Sequence, residues 1–174
     1  MNLIASFLGG GIVVAVINTI YLFYSDWRTR KKKYIMEQII NLYMPLYYLV
    51  LQNDTIFKLH TNIFKASEEL RTHPIDNTID ICNKYVDEVI KNNDKIMELL
   101  NSKSSYIDIT DKEYFATFYK DYIRQKTEYD NFKLKLDWQV YDKVGYVSFM
   151  RPEFIKRIYE QLENKKNSYL NFWK

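Results

Sequence analysis

A run of 22 residues without a charged side chain lies near the start of the chain, from residue 3 to residue 24. As an α-helix it would be about 33 Å long, more than the roughly 30 Å hydrocarbon core of a bilayer. Short flanks rich in Arg and Lys stay in the cytoplasm. Five such residues follow the run: Arg28, Arg30, Lys31, Lys32 and Lys33. The pattern predicts a single-pass transmembrane helix with its N-terminus outside and the rest of the chain in the cytoplasm.

Two other interpretations of the run fit less well. A cleaved secretory signal carries its positive charge before the apolar stretch, whereas here the charge follows it. A buried core helix usually has a shorter apolar run. We therefore divide the chain into a transmembrane anchor with a basic flank (1–33) and a helical cytoplasmic domain (34–174).

The net charge of +3 comes from the flank of the anchor. Residues 25–33 carry five basic groups and one acid, which leaves 20 basic and 21 acidic groups in residues 34–174. The cytoplasmic domain therefore lacks the basic footprint of a nucleic-acid-binding protein, and we expect no direct nucleic acid binding. The basic run itself fits a topology signal that also touches anionic lipid. The single cysteine, Cys82, excludes an intrachain disulfide and fits a reducing compartment.

Apolar residues at three- and four-residue spacings predict an all-α chain with a four- to five-helix cytoplasmic bundle. The first helix should continue beyond the membrane and kink near Pro45, because proline disrupts a helix interior. Residues 53–55 (Asn-Asp-Thr) predict a stop and a new helix. Later helices are predicted over 55–70 and 76–101, after a capping box at 110–113, and from residue 151. Residues 137–150 fit a loop or a short strand pair.

Few side chains suggest catalysis. His60 falls near the apolar face of the second helix, where a structural role is commoner, and His73 precedes Pro74 without a partner to orient it. One Cys and two His are too few for an ordinary zinc site within one chain. We therefore predict no catalytic residue, metal or cofactor, and we leave the roles of both histidines open.

The apolar run has one distinctive face. Gly11, Ala15 and Asn18 fall on one side of the helix. Small residues let helix backbones approach closely in lipid, and Asn can form hydrogen bonds between helices. This face favours a homo-oligomer, although the same Asn fits a monomeric anchor or the wall of a wet pore.

The late segment from Arg151 to Arg157 resembles part of the HEPN superfamily of helical bundles. Ribonucleases of that superfamily carry an Arg, four to six residues and then a His at the start of a late helix. Arg151 occupies the Arg position, whereas Arg157 stands where the His belongs and cannot act as a base at neutral pH. The layout of the whole chain is similar to small membrane accessory proteins of type VI-B, RNA-targeting CRISPR systems. That resemblance implies a divergent HEPN-like bundle and a defence effector of the bacterial inner membrane, functionally coupled to an RNA-guided effector.

Three functions remain as hypotheses. The first is an oligomer that forms a pore in the bilayer or perturbs it. The second is an anchored adaptor that recruits a cytoplasmic partner through the bundle. The third is a membrane-tethered HEPN-type ribonuclease, which the replaced His disfavours.

Overall fold

A computed structural model describes residues 2–69, 76–127 and 150–172, with side chains described from residue 12 onward except at 60–69, 76–79 and 82. Every regular element within these ranges is helical. The α-helices are α1 (Asn2–Gln38), α2 (Met44–Glu69), α3 (Asp76–Ser102), α4 (Lys112–Thr127) and α5 (Pro152–Asn171). Short 3₁₀ turns cover Ser104–Tyr106 and Ile109–Asp111, and a π turn covers Ile39–Tyr43. The prediction of an all-α helical bundle is therefore confirmed.

The prediction of a transmembrane helix over residues 3–24 is corrected by the structure. Among the described residues, α1 and the other helices all lack a stretch that is both long and apolar enough to cross a membrane. Residues 3–24 form the first part of α1, which continues to Gln38. The described apolar side chains begin at Ile12 and extend to Tyr24, which corresponds to about 20 Å of helix. Asp26 and Arg28 follow within the next turn and end the apolar stretch.

A π turn joins α1 to α2, so that the chain stays helical from residue 2 to residue 69. In this turn the backbone N–H of Met44 bonds to the carbonyl of Ile39, five residues earlier. Pro45 explains the position of the wide turn, because its ring would clash with the carbonyl four residues before it in a regular α-helix. The predicted disruption near Pro45 is therefore present, as a π turn within a continuous helix.

The hydrophobic core lies where α1, the π turn and α2 meet α3, α4 and α5. Ile35, Ile39, Leu42 and Leu46 are all buried, as their helical spacing predicts. The opposite side of the core is lined by buried side chains of the later helices: Ile96, Met97, Leu100, Phe115, Phe118, Phe154, Ile158 and Leu162. Phe118 stacks on Phe154 with ring centroids 4.6 Å apart, which joins α4 to α5. The core therefore begins at the C-terminal end of α1, and the apolar first part of this helix lies outside it.

Two predicted local signals, the stop at 53–55 and the capping box at 110–113, are wrong for the same physical reason, although α4 does begin at Lys112, where the box predicts a helix to start. Asn53 does not end a helix, because it is buried within α2 and donates a hydrogen bond to the side-chain oxygen of Asn93 (2.9 Å). The box at 110–113 does not cap α4, because Thr110 and Asp111 bond to α5 and Asp108 accepts the capping hydrogen bond from the Thr110 amide (3.2 Å). In both places tertiary partners replace the local ones that the sequence suggests.

The remaining boundaries agree with the sequence pattern where the structure describes them. The third helix was predicted over 76–101 and extends from Asp76 to Ser102. The last helix begins at Pro152, directly after Arg151, as its first-turn proline indicates. Residues 128–149, and with them most of the segment at 137–150, lie outside the described residues, as does His73.

Candidate functional site

The apolar segment of α1, residues 12–24, is exposed around its whole circumference. Successive helical residues are about 100° apart, so five neighbours sample every side of the helix. Each of the large side chains here is more than half exposed: Ile12, Val13, Val14, Val16, Ile17, Ile20, Tyr21, Leu22, Phe23 and Tyr24. A helix that is apolar on every side requires an apolar environment on every side. A contiguous surface of this kind marks a site of interaction with lipid or with protein.

The predicted small-residue face lies on this exposed part of α1. Ala15 and Asn18 are both exposed, and Gly11 lies one turn before Ala15. The carbonyl of Ala15 accepts a hydrogen bond from the Thr19 hydroxyl (2.8 Å), so that the polar group of Thr19 is satisfied within its own helix. Ala15 and Asn18 are therefore accessible to a neighbouring helix, and the interface itself stays a prediction.

Aromatic and basic side chains follow the apolar segment in a defined order. The rings of Tyr24 and Trp27 lie 6.0 Å apart, and the Lys31 ammonium lies 5.1 Å from the centre of the Trp27 ring. Arg30 forms an exposed ion pair with Asp26 (2.8 Å). Amphipathic rings favour the boundary between hydrocarbon and headgroups, and cations favour the headgroup phosphates beyond it. The order of residues along α1 therefore matches the layers of one leaflet.

The basic flank also contacts the end of α5. Arg28 donates a hydrogen bond to the carbonyl of Phe172, and the Lys32 ammonium lies 4.9 Å from the Tyr169 ring. Tyr169 and Phe172 are partly buried and pack against the core. The aromatic side chains near the end of α5 therefore dock on the bundle, next to the basic flank. Sequence reasoning missed this pairing because its partners are 144 residues apart.

Arg151 and Arg157, on which the HEPN resemblance rests, are both engaged in ion pairs. Arg151 binds Asp121 through two nitrogens, at 2.5 and 3.0 Å. Arg157 binds Asp111 at 2.6 Å and also donates to the Thr110 hydroxyl at 2.7 Å. The two guanidinium groups thus bind different carboxylates. Both arginines stay protonated and serve as cations that join α5 to the rest of the bundle.

Asp111 is the centre of a buried polar network that the sequence analysis did not single out. Its carboxylate is fully buried and accepts hydrogen bonds from Tyr43 (2.5 Å), Arg157 (2.6 Å) and Gln161 (2.8 Å). Burial, together with the hydrogen bond to Asp111, raises the pKa of Tyr43 well above its usual range, so that its hydroxyl remains a donor. The network fastens the π turn and α5 to the turn before α4.

A second polar network crosses the core between α2, α3 and α4. Asn92 donates to Asn53 (3.0 Å), Asn53 to Asn93 (2.9 Å) and Asn93 to Gln125 (2.9 Å). All four side chains are buried. Asn53 and Asn93 continue apolar stripes at helical spacing, following Val50 and Val89. The sequence signal for this network was therefore the presence of amide side chains on apolar helix stripes, because a buried amide needs a hydrogen-bonding partner.

A cleft of about 310 Å³ opens between α4 and the start of α5. Phe118 and Phe154 form its apolar wall, and the Arg151–Asp121 pair and Glu113 contribute charge. Among the described residues, no group of three or more His, Cys, Asp or Glu side chains is arranged to hold a metal ion. The side chain of His60 lies outside that description.

Comparison of the chain with protein-family models, with curated proteins and with solved structures gives no match in any of the three.

Proposed function

We propose that this protein is a membrane-associated helical effector that inserts the apolar segment of α1 into a bilayer, associates there with further copies of itself and perturbs the membrane. The observation that supports this proposal is the exposure of residues 12–24 on every side of α1. The bundle below carries its own core. Insertion would therefore remove the apolar segment from water without any change in the fold of the bundle.

Lipid is a better environment for this segment than a groove on another protein. A groove covers one face of a helix, in the manner of an amphipathic ligand. Here apolar side chains point in every direction, and only a surrounding medium or several neighbouring helices can cover them all. The 13 residues from 12 to 24 correspond to about 20 Å of helix, deep enough to enter the roughly 30 Å hydrocarbon layer.

Self-association is proposed through the face that contains Gly11, Ala15 and Asn18. Within lipid, burial of apolar surface does not drive helices together, so close packing and hydrogen bonds decide which faces meet. Ala15 is small enough for close packing, Asn18 can form a hydrogen bond between helices, and both residues are exposed. Copies that share one orientation in the bilayer would form a homo-oligomer with the bundles on the same side.

The biological setting is proposed from the resemblance in layout alone. In that setting the oligomer acts at the bacterial inner membrane in antiviral defence, with the bundle on the cytoplasmic side. An RNA-guided effector would supply the trigger without any contact between nucleic acid and this chain.

A vesicle flotation experiment tests insertion. Ile17→Lys and Ile20→Lys each place a charge in the apolar segment, where it opposes entry into hydrocarbon. Ile123→Lys is the control, because Ile123 is an exposed isoleucine of the bundle, on α4 (44%, against 59% for Ile17 and 64% for Ile20). We expect the first two variants to stay with the aqueous fraction and the control to float with the vesicles. Equal flotation of all three, with equal circular dichroism, would exclude insertion through this segment.

A measurement of particle mass in detergent tests self-association. Ala15→Leu adds bulk where backbones approach, and leucine is at least as favourable as alanine in lipid. We expect fewer subunits per particle with unchanged flotation. Asn18→Leu should act more mildly on mass, because hydrogen bonds between helices in lipid average about 0.6 kcal/mol. Unchanged mass in both variants would remove this face from the assembly.

The adaptor is the second candidate, and a stripe on the bundle favours it. Met36, Ile40, Met44, Tyr48 and Leu59 follow one another mostly at four-residue spacing, and all are more than a third exposed. Such a stripe suits an amphipathic helix of a partner protein. If Ile40→Ser and Tyr48→Ser abolish membrane perturbation in cells while vesicle flotation and particle mass stay normal, the protein acts as an adaptor.

A further inference from the structure

We infer that the folded bundle carries a binding site for the phosphate headgroup of an anionic phospholipid, in the groove between α1 and α5 directly below the apolar segment. This inference rests on the proposed function, because it requires the apolar segment to be in the bilayer. To that proposed function it adds the class of lipid that is bound and the residues that bind it. Recognition would then depend on side chains that only the folded chain brings together.

The groove has a volume of about 400 Å³, within the range of small-ligand sites. Lys31 and Tyr34 line it from α1, Lys165 and Ser168 from α5, and Asp108 from the turn before α4. Two ammonium groups and a serine hydroxyl thus share one concave surface. All three can donate hydrogen bonds to phosphate oxygens.

Asp108, the one carboxylate in the lining, is already bound by Lys165. Its carboxylate accepts a hydrogen bond from the Lys165 ammonium at 2.9 Å and also caps the following turn. An ammonium group has three donors, so Lys165 keeps two for another acceptor. The charge of Asp108 is balanced in this way, and the charge of Lys31 gives the groove its positive character. The Lys31 ammonium itself lies over the Trp27 ring, 5.1 Å from the ring centre.

The depth of the groove fits the headgroup layer. Lys31 lies four residues beyond Trp27, which corresponds to about 6 Å along the helix. The polar region of one leaflet is about 5 to 7.5 Å thick, since a bilayer of about 40 to 45 Å has a core of about 30 Å. If Trp27 lies at the boundary of the hydrocarbon, Lys31 lies at the level of the phosphates. The groove would therefore face the headgroups whenever the apolar segment is inserted.

Partition of the full-length protein between buffer and vesicles tests this inference. Phosphatidylcholine vesicles report insertion alone, and vesicles that also contain phosphatidylglycerol report any gain from the anionic headgroup. A single lysine near an anionic surface changes partition about fivefold through general electrostatics. The matched control is Lys33→Gln, because Lys33 belongs to the same basic run but is not among the residues that line the groove.

For a specific site we expect Lys31→Gln to weaken binding to the anionic vesicles clearly more than Lys33→Gln does, and to leave binding to phosphatidylcholine unchanged. Ser168→Ala should also weaken binding to the anionic vesicles alone, although it changes no charge. Equal losses in the two lysine variants, with no effect of Ser168→Ala, would overturn the site and leave insertion intact. Failure of the wild-type protein to bind either vesicle would refute the proposed function and the site with it.

Free phosphate compounds share the chemistry of the headgroup, so a further arm separates the two sources. Glycerol 3-phosphate is added to the protein without vesicles, with binding followed by calorimetry, and then as a competitor in the partition experiment. We expect weak binding and little competition, because a lipid adds the apolar contact of its chains. Tight binding in the absence of vesicles would assign the groove to a soluble phosphate compound and overturn the lipid assignment.

Discussion

Single residues in the centre of the bundle determine how its parts are joined. Asp111, Tyr43, Arg157 and Gln161 come from three separate stretches of chain and meet in one buried network. No local pattern reveals the network beforehand: Asp111 fits a capping box, and Arg157 stands out only as the residue at the His position of the HEPN resemblance. The role of each follows from partners that lie more than 40 residues away.

Asp111→Asn is expected to lower the free energy of unfolding by about 3 kcal/mol or more. The substitution leaves Arg157 without a carboxylate in a site where its side chain is only 19% exposed, and unpaired buried charges are costly. The matched control is Asp121→Asn, which removes the partner of the half-exposed Arg151 and should cost about 1 kcal/mol or less. Urea unfolding of both variants measures the difference. Similar losses for the two would show that the Asp111 network contributes no more than a pair at the rim of a cleft.

The Lys165–Asp108 pair predicts a pH dependence. The hydrogen bond from Lys165 holds the pKa of Asp108 at about 2 in the folded protein, below its ordinary value of 3.8. A carboxylate whose pKa is depressed by folding stabilises the protein above the pKa of the unfolded chain, and this contribution disappears as the pH falls to the folded value. The stability difference between the wild type and Asp108→Asn should therefore be constant near neutral pH and shrink between about pH 4 and about pH 2. A difference that stays constant through this acid range would contradict the assignment.

At the scale of elements, helical spacing predicts most of the fold. The stripes of α3 and α5 and the first-turn proline of α5 agree with the structure, because amphipathic periodicity and proline geometry act locally. The same reasoning fails at 53–55 and 110–113, where Asn53, Thr110 and Asp111 bond to distant helices. Buried polar residues of this kind resemble local stop or capping signals until their partners are known.

The π turn predicts an asymmetric tolerance of deletions. A π turn behaves as one residue inserted into an α-helix. With both deletions made in a Pro45→Ala background, which removes the ring that clashes in a regular α-helix, deletion of the exposed Ile40 should therefore restore a regular helix while α1 and α2 keep their buried faces. Deletion of Tyr48, exposed but within regular α-helix, should rotate the preceding and following parts of the helix by about 100° relative to each other and disrupt the core.

Thermal unfolding of the two deletion variants measures the effect. We expect a cooperative transition for the Ile40 deletion and its loss, or a large fall in Tm, for the Tyr48 deletion. Equal damage in both would mean that the wide turn is required for packing and is not an insertion into a regular helix.

At the scale of the whole molecule, a folded helical bundle carries an exposed apolar helix at one end. The sequence predicted both the bundle and the apolar run, because composition and periodicity record them directly. It did not predict that the end of α5 docks beside the basic flank of α1, or that Lys31 and Ser168 line one groove. These contacts join residues far apart in the chain. The predicted transmembrane crossing was not found among the described residues.

A measurement of depth in the bilayer shows whether residues 12–24 enter the hydrocarbon. A fluorophore is attached to Ile17→Cys in a Cys82→Ser background, with Ile123→Cys on α4 as the reference site on the bundle. Quenchers are placed either on the lipid acyl chains or in the aqueous phase. We expect acyl-chain quenchers to act on position 17 alone and aqueous quenchers to act on position 123 alone. If position 17 in the presence of vesicles remains accessible to the aqueous quencher and untouched by the acyl-chain quenchers, the apolar segment does not enter lipid.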